Sequence, residues 1–202
     1  MTTTHATTTT IRRAVAADEH DVGRIIYEAF FDDPTMRWIT PDPERRAAIG
    51  PAMFELYASA FVPLGETYVT GDRSGAALWA PPGVQPVAEE DAEAFGRRAA
   101  EIVGPDAERL FELEAVFEAH APSPRTGTLQ LVGTVPEHQG QGIGSVLLSA
   151  VLDRCDREGA PAYLESTSPQ NQRLYERHGF VATGTMAPTG GPPLTAMWRD
   201  PA

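Results

Sequence analysis

The residues Gln139-Gly140-Gln141-Gly142-Ile143-Gly144 could do chemistry through their backbone alone. They follow a short apolar run, Leu129, Leu131, Val132 and Val135, which Pro136 ends because proline cannot donate to a strand ladder. From Ile143 onward the apolar residues change to helical spacing, with Val146, Leu147, Ala150 and Val151 on one face. Glycines between a strand and a helix let main chain approach a ligand closely. The unpaired N–H groups of the first helical turn then face an anion, and the helix dipole adds to the attraction. The stretch reads as a seat for a phosphate or pyrophosphate, or else as a tight structural turn with incidental glycines. A Walker A loop is excluded, because it needs Gly-Lys-Ser/Thr and all 16 basic residues of this chain are arginine. A dinucleotide fingerprint fails at its third glycine, where Ser145 stands, and the turn comes late in the chain. What fits is Gln-x-x-Gly-x-Gly, read as Gln139, Gly142 and Gly144.

Other chemistries find little support. The five histidines show no metal-ligand spacing, so no metal site is expected. No serine sits in a nucleophile elbow with a following Asp and His. The one cysteine, Cys155, falls within the helix after the glycine turn; it forms no intramolecular disulfide and suits a reducing, cytoplasmic setting. The net charge of −12 argues against nucleic acid and anionic membranes as partners, since both reward basic surfaces. No stretch looks apolar enough over 18 residues to span a bilayer. The N-terminal stretch 1–10, MTTTHATTTT, lacks the basic and apolar regions of a signal peptide and reads as a disordered threonine-rich tail.

A second stretch, Ser168 to Phe180 (SPQNQRLYERHGF), lies one helix and one strand beyond the glycine turn. Gln-x-x-Gly-x-Gly resembles the pyrophosphate-binding motif of the GNAT N-acetyltransferases, and Leu174-Tyr175-Glu176 followed by Gly179-Phe180 is similar to their LYExxGF signature. Two motifs in this order are far more specific than either alone. Within that superfamily, VPEHQGQGIGSVLL and AYLESTSPQNQRLYERHGF look most like the puromycin N-acetyltransferase type, which also carries a helical insert where residues 87–120 stand here.

The resemblance implies acetyl transfer from acetyl-coenzyme A to a primary amine of a small molecule, such as an aminonucleoside, antibiotic or metabolite. It implies that the backbone of Gly133, Thr134 and Val135 pairs with the pantetheine arm between splayed fourth and fifth strands. Gly140, Gln141, Gly142, Ile143, Gly144 and Ser145 would cradle the pyrophosphate, and Tyr175 would protonate the leaving thiolate. Asn171 would bond the pantetheine or the loop; the commoner family spacing puts an asparagine seven residues before the tyrosine, where this chain has Ser168. A backbone N–H at Thr134 or Val135 could stabilise a developing oxyanion. An unperturbed tyrosine is protonated at neutral pH and can act as the acid. Glu165 is the first candidate for the base, directly or through water, with a plain strand carboxylate as the other reading of that residue and His120 as the runner-up base. The acceptor pocket is expected from the first two helices and the 87–120 insert, with Phe30, Asp33, Trp38 and His120 as the candidates for acceptor binding; an acidic Asp33 beside aromatics would suit an organic cation. A non-catalytic acyl-coenzyme A sensor on the same fold, a protein N-terminus as acceptor, and a homodimer stay open.

The elements that must position these residues follow from pattern. Strands are expected at 11–15, 68–70, 76–80, 129–135, 162–167, 180–186 and 194–199, and helices at 19–31, 43–61, 143–158 and 169–178. Asp32-Asp33-Pro34 reads as a stop, and Gly50-Pro51 as a kink or break in the helix over 43–61. The acidic stretch 87–120 reads as two helices broken at Gly104-Pro105. With no internal repeat or domain-scale linker, the expectation is one α/β domain over 11–202: a mostly antiparallel mixed sheet with one splayed parallel pair and helices on both faces.

Overall fold

The computed structural model describes residues 10–122 and 126–202. Residues 1–9 of the threonine-rich stretch lie outside these. Thr10 does not belong to a loose tail, because its carbonyl accepts from Gly71 N–H at 2.8 Å. Seven strands form one mixed sheet in the order β1-β2-β3-β4-β5-β7-β6. They are β1 (Ile11–Arg13), β2 (Thr67–Thr70), β3 (Gly75–Ala80), β4 (Gly127–Thr134), β5 (Ala162–Ser166), β6 (Val181–Met186) and β7 (Leu194–Arg199). Five neighbouring pairs are antiparallel; β4 and β5 are parallel, joined by the crossover helix α6 (Ile143–Glu158).

Two layers of helix cover the sheet. One face carries α1 (Glu19–Phe30), α2 (Pro34–Ile39), α3 (Pro43–Phe61), α4 (Ala92–Val103) and α5 (Ala107–Ala119); α1 and α3 lie on the sheet, and α2, α4 and α5 pack outside them in the apolar cluster that includes Val69, Ala76 and Leu78. The other carries α6 and α7 (Pro169–Arg177), packed on Ala77, Trp79, Leu129, Leu164 and Met197. Each fully buried Leu, Met or Trp here contributes about 1.5–3 kcal/mol of hydrophobic stabilisation.

α2 corrects the sequence reading. Asp33-Pro34 does stop α1, but Asp33 also caps the next helix and Pro34 sits in its first turn, where a missing N–H costs nothing. α3 corrects it twice. It runs unbroken through Gly50-Pro51. Extended by its last turn to Leu64 it also has the length and mean hydropathy, 1.3, to cross a membrane. Here it packs as a core helix, with Met53, Phe54, Ala58 and Phe61 buried against the same cluster as α1.

The feature that shapes the site is a bulge in β4. Leu78 pairs with Leu131 and Trp79 with Leu129, so Gln130 has no partner on β3. The extra residue reverses the alternation: Leu129 joins the α6 face, while Leu131 packs on the α1 face. Pairing between β4 and β5 ends at Leu129–Leu164, at the same level. Beyond it the two parallel strands splay, and the remaining edge of β4 is open.

Candidate active site

Two cavities meet at the splay. The larger is an open cleft of about 620 Å3 between the end of β4, the turn before α6, and α7. The smaller, about 90 Å3, lies beneath α2, α3 and α5 on the other side of the opening. Phe30, Val132, Asn171 and Tyr175 line both, so these four side chains form the seam.

The cleft is built for an extended ligand ending in an anion. Val135 N–H donates to Ser74 O at 2.9 Å. Because antiparallel pairs alternate, Gly133 also turns its polar groups toward β3, and the N–H and C=O of Val132 and Thr134 face the splay. This corrects the expectation for Gly133 and Val135, whose amides are occupied within the sheet, and adds Val132, which sequence pattern missed. The oxyanion donor therefore cannot be Val135. Gly133 matters for a different reason: a Cβ there would stand 2.6 Å from the Ala29 Cβ, so glycine lets α1 lie close on β4. Thr134 O also accepts from Gln139 Nε2 at 3.2 Å, tying the turn to the strand.

The turn itself uses left-handed backbone at Gly140 (φ 75°) and Gly142 (φ 85°), which side-chain-bearing residues disfavour. A Cβ at either would meet nothing within 4 Å, so their surfaces are open. The starts of α2, α3 and α7 are closed by Asp33, Asp42 and Ser168, whose side-chain oxygens accept first-turn N–H groups. α6 begins at Gly142 with no side-chain cap, and its first internal bond is Val146 N–H to Gly142 O. The amides of Ile143, Gly144 and Ser145 are thus left for a ligand, and these residues line the cleft. Arg177 and His138 add basic groups to its wall. Gln141 donates to Glu137 O at 3.3 Å and stabilises the turn.

At the seam, Tyr175 is buried against Phe180, ring to ring at 6.1 Å. Its hydroxyl has no hydrogen-bond partner among the described residues. Burial, with the charge of Asp33 behind it, pushes its pKa above the ordinary value of 10, so the proton stays on oxygen at neutral pH. Glu165, on β5, lines the small cavity. Burial pushes its carboxyl up to about 7, partly offset by the neighbouring Tyr163 hydroxyl. A carboxyl poised there and a tyrosine held protonated form an acid–base pair on one opening. Asn171 lines both cavities, while its backbone N–H donates to Ser168 Oγ at 3.2 Å. Ser168 lines the cleft, but its hydroxyl is engaged as the cap of α7.

The acceptor candidates separate. Phe30 stands at the seam. Asp33 faces the large cleft and not the small cavity, and its carboxylate is already engaged. One oxygen accepts from Thr35 N–H (2.8 Å) and Thr35 Oγ1 (2.5 Å), the other from Thr167 Oγ1 (2.6 Å). Trp38 lines a separate surface groove beside Arg109 and Glu112. His120 is exposed at the end of α5, its Nδ1 2.8 Å from Val116 O, and does not line the small cavity. The walls of that cavity come from Met36 and Ile39 on α2, Phe54 on α3, and Leu110, Leu113 and Phe117 on α5, none of which sequence reading named as acceptor residues. The polar Gln130 inside an apolar strand run was the available signal for the bulge.

A model of the acetyltransferase (GNAT) family matches residues 50–180. The chain belongs to the GNAT acetyltransferase family. GNAT acetyltransferases use acetyl-coenzyme A, and the uncapped α6 turn and open β4 edge fit that ligand's diphosphate and amide-bearing arm. An uncharacterized N-acetyltransferase of Schizosaccharomyces pombe is 28% identical, with 94% of this chain and 83% of that protein aligned. A mycothiol acetyltransferase of Acidimicrobium ferrooxidans is 39% identical over 42% of this chain and 27% of its own length. A solved acetyltransferase from Corynebacterium glutamicum, described as histone acetyltransferase HPA2 and related acetyltransferase, superposes with a TM-score of 0.72 at 30% identity, covering 96% and 97% of the two chains. The polyamine N-acetyltransferase of Drosophila melanogaster shares the fold at 17% identity, with a TM-score of 0.67 and 95% and 99% coverage.

Proposed function

We propose that this GNAT protein transfers an acetyl group from acetyl-coenzyme A to the primary amine of a small molecule, by direct attack in a ternary complex. The observation that carries the reading is the seam: Tyr175 touches both the anion-seating cleft and the cavity that holds Glu165. When bound, acetyl-coenzyme A supplies an acetyl group activated as a thioester. The amides of Ile143, Gly144 and Ser145 hold its diphosphate, and the free edge of β4 at Val132 and Thr134 orients its arm. Glu165 takes the proton from the acceptor amine, leaving a neutral nitrogen able to attack. Tyr175 holds a proton at the junction and would deliver it to the leaving sulfur; the attacking nitrogen sheds its surplus proton to the tyrosine oxygen as the amide forms, and the proton held by Glu165 passes to solvent. Asn171 orients the arm from the α7 side.

The likeness to the puromycin type rests on the two motifs, which serve the coenzyme and not the acceptor. Acetylation of puromycin tests that finer reading. The functional test is a thiol-release assay with acetyl-coenzyme A across an amine panel, on wild type and Tyr175→Phe. Turnover in wild type and loss in the variant, with coenzyme binding kept, are expected. Full activity in the variant removes Tyr175 as the acid. Tight coenzyme binding with no turnover of any amine would support a sensor instead.

A further inference from the structure

We propose that the acceptor is a monoamine carried on a compact apolar body, an aryl or branched-alkyl group, bound with its tail under α2, α3 and α5. This rests on the acetyltransferase reading and names the substrate class of that site. The argument is the polarity of the small cavity. Its roof is hydrocarbon and aromatic: Met36, Ile39, Phe54, Leu110, Leu113 and Phe117. Its polar groups lie on the opposite side, Gln130 on β4, Glu165 on β5 and Asn171 and Tyr175 on α7. The remaining polar residues in the wall are spent. Tyr57 hydroxyl donates to Glu114 at 2.7 Å and is no free donor. Thr35 and Thr167 hydroxyls both donate to Asp33.

Three consequences follow. Among the described residues Glu165 is the one carboxylate in the cavity lining, and Glu114, behind Tyr57, is already paired with that hydroxyl, so the lining can neutralise one ammonium and not two. A second cation in the roof would lose its water with no counter-charge in direct contact, which is costly. The volume, about 90 Å3, is far below the several hundred Å3 of a site for a nucleoside-sized ligand, so the tail it holds is small. The Asp33 carboxylate does not supply the missing charge, because it lies in the other cleft with both oxygens engaged.

The experiment compares kcat/KM for 2-phenylethylamine and 3-methylbutylamine with putrescine, agmatine and puromycin, at saturating acetyl-coenzyme A. The apolar monoamines should exceed the others by on the order of 100-fold, the discrimination available to an apolar pocket. Leu113→Glu, which places a second carboxylate in the roof, should narrow the gap toward putrescine. Phe117→Ala, a milder change at a partly buried position, should shift preference to longer tails. Calorimetric titration of 2-phenylethylamine into the coenzyme A-loaded protein gives a readout without turnover, with saturable binding expected and none for putrescine. Equal or better kcat/KM for putrescine or puromycin would overturn the proposal while the acetyltransferase reading stands. So would absence of 2-phenylethylamine binding to the loaded protein. Failure of coenzyme A itself to bind, measured in a separate titration, would overturn both.

Discussion

Replacing Glu165 by Gln separates activity from stability in opposite directions. The side chain lies in the small cavity, and burial raises its carboxyl from an ordinary 4.5 to about 7. Holding that carboxylate ionised in the folded protein therefore costs on the order of 3 kcal/mol. A raised folded-state pKa means that the folded chain binds the proton more tightly than the unfolded one. The stabilisation it brings is complete below about 4.5 and is lost as pH rises through 7. Gln imitates the protonated form at every pH. Glu165→Gln should match wild type in stability at pH 4.5 and exceed it at pH 8 by about 2 kcal/mol once local solvent is allowed for. In a chain of this size that is roughly 4–8 °C in Tm. Activity should move the other way. Losing a general base lowers kcat/KM by about 10²-fold or more. Wild-type kcat/KM should show an inflection near 7, well below the titration of a free alkylamine, and the variant should lack it. Calorimetric melting at the two pH values and thiol-release kinetics from pH 5.5 to 9 read both effects. An unchanged pH profile in Glu165→Gln, or equal Tm shifts at both pH values, would refute the reasoning.

Tyr175→Phe should lower kcat by about 10²-fold while Tm stays within a few degrees, because the hydroxyl has no partner to lose; kinetics and melting curves check this together. Gly142→Ala should cost about 1 kcal/mol from the φ of 85°, and the added methyl, standing in the open cleft, should weaken coenzyme A binding by about tenfold in calorimetry. Gly133→Ala should destabilise by roughly 1–3 kcal/mol in chemical denaturation, since its Cβ meets Ala29 on α1 at 2.6 Å. Asp18 accepts from both Arg12 guanidinium nitrogens, at 2.6 and 2.7 Å, which lowers its carboxyl to about 2. That stabilisation is present above 3.8 and fades as pH falls toward 2, so Asp18→Asn should lower Tm at pH 7 and converge with wild type in acid melts.

Much of this fold could be read from residue pattern because its punctuation is strong. Gly71 to Gly75 turns the β2–β3 hairpin, Gly104-Pro105 divides α4 from α5, and Gly159 ends α6 in left-handed backbone. The glycine turn could be placed because a change from strand to helix period brackets it. What pattern could not show is where two elements compete for one residue. Asp33-Pro34 ends one helix and starts another, and only the first role was read. Hydrogen-bond parity was equally hidden: the bulge at Gln130 and the Val135–Ser74 bond decide that Val132 and Thr134, not Gly133 and Val135, face the opening. An acceptor pocket was expected among the first two helices and the insert, and the small cavity lies between α3 and α5, but its individual lining residues were illegible because they are the ordinary apolar faces of helices. Met36, Phe54 and Leu113 carry no signal that space remains between them. Trp38 was nominated by residue type, and tertiary placement took it to a separate groove; His120 stays outside the small cavity at the end of α5, yet near enough to act on the Glu165 carboxyl.

The central claim is that the uncapped start of α6 and the open edge of β4 seat acetyl-coenzyme A beside Tyr175. Isothermal titration of the wild-type chain with acetyl-coenzyme A tests it most directly. A saturable one-to-one isotherm is predicted, with a Tm rise of about 5–10 °C when the ligand is at 100 times its Kd. A flat titration with an unchanged Tm would contradict it.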